Sequence, residues 1–509
     1  MSRTDRSEGT GPEGLSRPAL LILAAILAFA PLLRSGQLPI AQLTLELLAA
    51  GLLLAVFWDR QRPPLRQAEI WALALLLLYP LVYLLPVPAG LIGWLPGRGL
   101  YQATEVVGQL GNPNALRLSI LPFQTEKALL LLTAAVAVFV AARALDAQQT
   151  QRLVWLLLGV ATFQATLGLI QYGAGGGPLY LGMDHAHGNA VGTYTNRNHL
   201  AGLIEMTLPV TLGLLVFSVG RRDRSERGHW RRHVVFLGSL RGQAAIGYGA
   251  VALLLLLGVV FTRSRAGIAL TMLGILVATL AYARRIGGSN VYGLNGTLVA
   301  SAIGIGLLIG LGPVLDRFTV TGAIEDGRWT IFSSTLTGIG HFFPLGSGPG
   351  NYPEVFTAFQ PVELGRWFIN HAHNDYLEWL FEGGLFAAAL ILLLSGLFLH
   401  QWARVWTAGH WSRMRFIQVG AGIGLLLLAL HGLVDFNLHI PANIVYFAFL
   451  AGVFFAEPAP LEKPSRARRH RHHQPDRDDT PEPAAEPAPT RAPRQPIPAA
   501  DQIKNPFLD

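Results

Sequence analysis

The residues best equipped for chemistry lie in Ile369-Asn-His-Ala-His-Asn-Asp-Tyr-Leu-Glu-Trp-Leu-Phe-Glu-Gly-Gly-Leu-Phe386. His371, His373, Asn374, Asp375, Glu378 and Glu382 crowd the junction between a polar loop and an apolar run. Ionisable groups at such a boundary are costly and mark functional sites. Asp375, Glu378 and Glu382 recur at i, i+3 and i+7, which is one helical face. That face must look into protein or a wet cavity, because acids facing lipid are expensive. Asn374 or Asp375 is placed to cap the helix. His373, just outside it, can accept or pass a proton near neutral pH. A lone interfacial histidine is usually structural. Two histidines with adjacent Asn and acids favour a functional reading.

Three other segments supply fixed positive charge. Thr262-Arg-Ser-Arg-Ala-Gly267 holds Arg263 and Arg265 in a tight turn between two apolar runs. Gly192-Thr-Tyr-Thr-Asn-Arg-Asn-His-Leu-Ala-Gly202 puts Arg197, Asn198 and His199 in the first turn of a helix, with Thr195 or Asn196 as cap. Asp326-Gly-Arg-Trp329 puts Arg328 at the head of an amphipathic stretch. Arginine suits bidentate contact with phosphate oxygens, and a helix N-terminus adds free amides for an anion. Each segment also has a bland reading: a snorkelling arginine, a simple cap, an interfacial tryptophan anchor. Pro344-Leu-Gly-Ser-Gly-Pro-Gly-Asn-Tyr352 adds backbone freedom and possible amide donors for an anion. A second His-Ala-His at His185 to His187 could join His371 and His373 in a four-histidine metal site. Acidic ligands for a hard metal do not gather in these loops, and the favoured reading has no metal and no cofactor.

These groups must be positioned by a membrane scaffold. The chain of 509 residues is 51% hydrophobic and only 14% charged, where soluble domains are about a quarter charged. Its apolar blocks run about 18–22 residues, the length that spans a bilayer as helix. An all-α polytopic membrane protein follows, since open sheet would leave backbone groups unpaired in lipid. About twelve spans are expected: 18–33, 38–58, 69–88, 127–144, 153–173, 199–219, 244–262, 266–284, 291–312, 376–399, 416–434 and 440–456. A large loop, 313–375, precedes the tenth. Loops this long are usually functional. Residues 1–17 read as a cytoplasmic leader into a retained helix, 18–456 as the membrane domain, and 457–509 as a disordered cytoplasmic tail. The tail's Arg466-Ala-Arg-Arg-His-Arg-His-His473 suits anionic lipid.

Lys/Arg asymmetry sets orientation. The Arg221–Arg241 loop holds seven arginines against two acids, so it and its alternates face the cytoplasm, with both termini. The loops bearing Arg197, Arg263, Arg265, Arg328 and His373 then share the outer face. The net charge of +8 reflects this topology and not nucleic-acid binding. The absence of cysteine excludes disulfides and thiolate catalysis. No glycine loop for a nucleotide and no 20–50-residue repeat is present.

At these residues the chain resembles the O-antigen ligase and polymerase superfamily of bacterial envelopes. His373-Asn374, then nine residues, then Gly384 match the family signature, while Ala387 departs from its last position. Gly192-Thr-Tyr-Thr-Asn-Arg-Asn-His199, Ser264-Arg-Ala-Gly267 and Gly327-Arg-Trp329 resemble its other motifs. The resemblance covers about residues 150–450. It implies a GT-C-like glycosyltransferase of the bacterial inner membrane with its active site facing the periplasm. The implied donor is a glycan on undecaprenyl diphosphate, and no nucleotide sugar or metal takes part. The acceptor hydroxyl belongs to lipid A-core, a growing polysaccharide or a protein, and membrane lipid is the other partner.

On that basis His373 is the expected base, with Arg265 and Arg328 as the catalytic charges for the leaving diphosphate. Arg197, Asn198, Arg263, His371, Asn374 and Glu382 are expected substrate-binding or supporting residues. A polymerase, a protein O-oligosaccharyltransferase and a lipid transporter or flippase compete with the ligase-like role. Glu205, an acid inside a span, is the feature that favours a transporter.

Overall fold

The computed structural model describes residues 14–59, 65–99, 115–174, 188–220, 238–286, 292–293, 295–300, 303–304, 323–407 and 411–457. The His185–His187 pair, nearly all of the Arg221–Arg241 loop, most of the expected ninth span and the basic tail lie outside them.

Long apolar segments satisfy every backbone group internally only as helix, and the chain obeys. The helices are α1 Arg17–Phe29, α2 Pro39–Trp58, α3 Gln67–Leu84, α4 Pro122–Arg143, α5 Ala147–Gly173 and α6 Arg197–Val219. They continue with α7 Leu240–Thr262, α8 Arg265–Ile286, α9 Ala323–Phe342, α10 Asp375–Thr407, α11 Arg413–His431 and α12 Pro441–Phe455. Among the described residues, nine helices are long and apolar enough to cross a membrane, with α1 and α12 shorter apolar helices. The only described strands, β1 Pro86–Pro88 and β2 Ala115–Arg117, form one small antiparallel pair. The chain is an all-α polytopic membrane protein.

Helix α6 is the axis. Of its most apolar window, 94% is buried inside the protein, and it packs on α5, α7, α8, α11 and α12. Small residues permit the approach. A Cβ added at Gly267 of α8 would stand 2.6 Å from the Ala201 Cβ of α6, the close packing that membrane helices achieve through small side chains. Around this core, α4 packs on α2, α3 and α12.

The large loop is not structureless. Its helix α9 lies against α10. A separate apolar cluster of Ile120, Ile331, Phe342, Tyr352, Val355, Phe356, Ala372 and Phe381 gives it a core of its own.

Helix α10 runs well past the expected end near 399, because Gln401 and Val405 find buried places beyond the apolar run. It also bends. Gly384 has φ 51 and ψ −131, a conformation open to glycine and strained for other residues. The bend releases carbonyls from the helical ladder, and the glycine-rich loop fills them: Ser347 N donates to Phe381 O at 3.0 Å and Gly348 N to Glu382 O at 2.8 Å. Leu385 N donates back to Pro344 O at 2.9 Å.

Candidate active site

The site is built where helices α6, α8 and α10 begin and α7 and α11 end. Asn374 caps α10: its Oδ1 accepts from Tyr376 N and Leu377 N, each at 3.0 Å. Its Nδ2 donates to Leu433 O at 2.8 Å, tying the helix start to the turn after α11. Asn196 caps α6, accepting from Asn198 N at 2.9 Å. The side chain of Asn198 donates to the carboxylate of Asp435. Arg328 reaches the same turn, its Nη1 donating to Val434 O at 3.1 Å. Thus Asn198, Arg328, Asn374 and His373 converge on residues 433–437.

His373 sits at φ 52, a left-handed backbone that non-glycine residues hold mainly where their surroundings enforce it. Its Nδ1 lies 3.5 Å from Oδ1 of Asp435, a long contact between a half-buried ring and a buried acid. Asp435 also accepts from Phe436 N at 2.9 Å. Burial alone would raise the Asp435 carboxyl. The contact with His373 and the nearby rings of His199, His373 and His431 reverse that and hold it far below the usual carboxylate range. Asp435 is therefore an anion, and His373 faces it. The ring of Phe436 centres three histidines: His371 stacks on it at 4.1 Å, and His199 and His373 meet it edge-on at 4.7 and 5.0 Å.

Beside this pair lies a denser cluster. Asp375 and Glu378 are buried. Nδ1 of His371 is 2.8 Å from Glu378 Oε1, and Ala372 N donates to Glu378 Oε2 at 2.8 Å. His439 lies between two acids, its Nδ1 2.6 Å from Asp375 Oδ1 and its Nε2 3.4 Å from Glu378 Oε1. Burial would lower the His439 imidazole, but Glu378, Asp375 and Glu382 push its pKa up to about 10. The acids expected on one face of α10 meet histidines from the loop before it and the turn before α12.

Glu382 stands apart. Its carboxylate accepts from Tyr352 N at 3.0 Å, beneath the glycine-rich loop. Amides of that loop therefore meet the protein's own Glu382, whose side chain takes Tyr352 N and whose carbonyl takes Gly348 N.

Arg263 and Arg265 belong to the neighbouring turn. Arg263 adopts φ 56 at the end of α7, Ser264 caps α8 by accepting from Gly267 N at 3.1 Å, and Arg265 opens α8. This turn is joined to the start of α6: Ala190 N donates to Phe261 O at 2.8 Å, and Arg197 Nη1 to Asn189 Oδ1 at 3.2 Å. The arginines thus form a second group, linked through α6 to Asn198 and Asp435.

Sequence reasoning missed Asp435, Phe436 and His439. The signal was present: His431-Gly-Leu-Val-Asp-Phe-Asn-Leu-His439 also crowds ionisable groups into a boundary between two apolar runs. Glu205, read as a transporter-like acid, is fully buried against His431, whose Nδ1 lies 3.0 and 3.1 Å from its two carboxylate oxygens.

No curated protein matches the chain. Residues 250–392 match a family model described as O-antigen ligase. That range holds Arg263, Arg265, Arg328, His371, His373, Asn374 and Glu382, while Arg197, Asn198, Asp435 and His439 fall outside it. The chain is thus a polytopic helical protein in which residues 250–392 are similar to the O-antigen ligase family.

Proposed function

We propose that the protein transfers a glycan from undecaprenyl diphosphate to an acceptor hydroxyl at the periplasmic face of the bacterial inner membrane, in the manner of an O-antigen ligase. The observation that carries this reading is the His373–Asp435 pair, 3.5 Å apart, beside the turn that also holds Arg328. Nδ1 of His373 faces the anion, so Nε2 is the nitrogen available to the acceptor. Contacts of this kind are often long before substrate binds.

In the proposed step the acceptor oxygen attacks the anomeric carbon as its proton passes to His373 Nε2. The bond from that carbon to the diphosphate oxygen breaks, and the electron pair leaves with undecaprenyl diphosphate. Asp435 stabilises the imidazolium that forms. Positive charge must meet the leaving group, where negative charge grows. Arg328 and Arg265 take that role, with Arg197 and Arg263 beside them. The N-terminal ends of α6 and α8 add partial positive charge to the same region. Asn198 and Asn374 act by holding the 433–437 turn, and Glu382 by holding the glycine-rich loop.

The test is reconstitution with a synthetic undecaprenyl-diphosphate oligosaccharide and three acceptors: lipid A-core, a second lipid-linked repeat, and a Ser/Thr peptide. Release of undecaprenyl diphosphate with glycosylated lipid A-core is the expected result. Product on the second repeat or on peptide would make the protein a polymerase or a protein glycosyltransferase. Movement of intact donor across the bilayer without cleavage, or full activity in His373→Ala, would overturn the proposal.

A further inference from the structure

The cluster beside the His373–Asp435 pair has the donors of a metal site. The histidine and carboxylate ligand atoms of His371, Glu378 and His439 all lie within 4.8 Å of one another. Two imidazoles and one carboxylate form a three-ligand zinc set that leaves a fourth position open. Tetrahedral bonds of about 2.0–2.1 Å would put ligand atoms about 3.3–3.5 Å apart. His439 Nε2 and Glu378 Oε1 stand 3.4 Å apart already. His371 Nδ1 is 2.8 Å from Glu378 Oε1 and would open by about 0.5 Å, a small rotation for a loop side chain.

The outer groups point the same way. A metal-binding histidine commonly gives its other ring nitrogen to a carboxylate, which fixes its tautomer and orientation. His439 does so, with Nδ1 2.6 Å from Asp375 Oδ1 while Nε2 faces Glu378. Asp375 is itself held, its Oδ2 accepting from Leu438 N at 3.1 Å. The second oxygen of Glu378 takes Ala372 N at 2.8 Å, which leaves Oε1 for the ligand position. Two carboxylates are buried here, and a cation offsets charge that is otherwise costly to bury. Both imidazoles keep some exposure, with side chains 17% and 18% accessible, so an ion can reach them from water.

We infer that His371, Glu378 and His439 bind a divalent transition-metal ion of the zinc class. The ion would join three separate elements: the loop before α10, the first turn of α10 and the turn before α12. His373 is two residues from one ligand, and Asp435 four residues from another. The metal would therefore act as a positioning clamp on the His373–Asp435 pair, outside the bond-making step. A proton on His439 is the rival occupant of the same space.

The experiment needs no glycan, so its outcome is separable from that of the transfer reading. Full-length protein, purified in detergent through a tag without histidines, is stripped with chelator, equilibrated with micromolar Zn2+ and analysed by elemental mass spectrometry. About one Zn2+ per chain is expected for wild type, for His373→Ala, and for a variant with His470, His472 and His473 changed to Ala in the tail. Retention should fall about tenfold or more in His371→Ala and His439→Ala, each checked for a monodisperse elution peak. Co2+ in place of Zn2+ should give visible absorption bands that the same two substitutions abolish. His371→Ala serves if His439→Ala does not fold, because His371 comes from a loop. Wild-type protein that retains no Zn2+, or equal retention in His371→Ala, would overturn the inference.

Discussion

Asp435 Oδ1 stands 3.5 Å from Nδ1 of His373 and also accepts the Phe436 amide, while Oδ2 takes the side chain of Asn198. The acid that orients the proposed base is therefore itself fixed from α6 and from its own turn. His373→Ala should lower transfer by roughly 10²–10⁴-fold, the usual worth of a positioned acid–base group. Asp435→Asn keeps the shape but loses the charge that favours the imidazolium, so it should cost kcat heavily while KM for the donor changes little. Initial rates of undecaprenyl diphosphate release check both. Unchanged kcat in Asp435→Asn would remove Asp435 from the mechanism.

Asp435 also sets a pH dependence of stability. Its folded pKa is depressed, because its histidine neighbours outweigh its burial. A depressed carboxyl stabilises the fold fully above its unfolded pKa, about 3.9, and loses that contribution as pH falls through and below this value. Wild-type protein in detergent should therefore lose melting temperature between about pH 5 and pH 3 more steeply than Asp435→Asn. Parallel acid limbs in the two proteins would contradict this.

Much of this was legible in the chain, for definite physical reasons. Apolar blocks of bilayer length announce helices, because a single segment can satisfy its own backbone in lipid only as helix. The one-face spacing of Asp375, Glu378 and Glu382 correctly implied an inward-facing, buried row. Partners were not legible. Glu378 meets His439, 61 positions away, and Asn198 meets Asp435 across 237 positions, and no local pattern encodes such pairings. The bend at Gly384 was visible only as a Gly-Gly pair. Its consequence, a glycine-rich loop bonded to freed helix carbonyls, depends on a segment more than thirty residues earlier.

The Glu205–His431 pair is fully buried between α6 and α11. Removing one partner leaves an uncompensated polar group in the core, a loss of about 3–5 kcal/mol. Glu205→Leu alone should thus destabilise strongly. The double variant Glu205→Leu/His431→Leu should recover a large part of the loss, since two apolar groups of similar size leave nothing unpaired. Thermal melting in detergent gives the comparison. Strictly additive effects would show that the pair is not coupled.

Two glycines of α10 make opposite predictions from one rule. Gly384 has φ 51, and a Cβ there would lie 2.0 Å from Pro344 O. Gly384→Ala must either straighten the helix or expel the loop, losing the Leu385–Pro344 and Gly348–Glu382 bonds. Backbone strain alone costs about 1–3 kcal/mol, and the lost loop contacts add to it. Gly396, twelve residues on in the same helix, has nothing within 4 Å of an added Cβ. Gly396→Ala should be neutral or stabilise by up to about 1 kcal/mol, because alanine loses less backbone entropy in a helix. Transfer activity should follow the same split, since Tyr352 at the end of that loop shares an apolar cluster with Ala372, which lies between His371 and His373. Equal melting temperatures for the two variants would mean that the bend at Gly384 does not hold the loop.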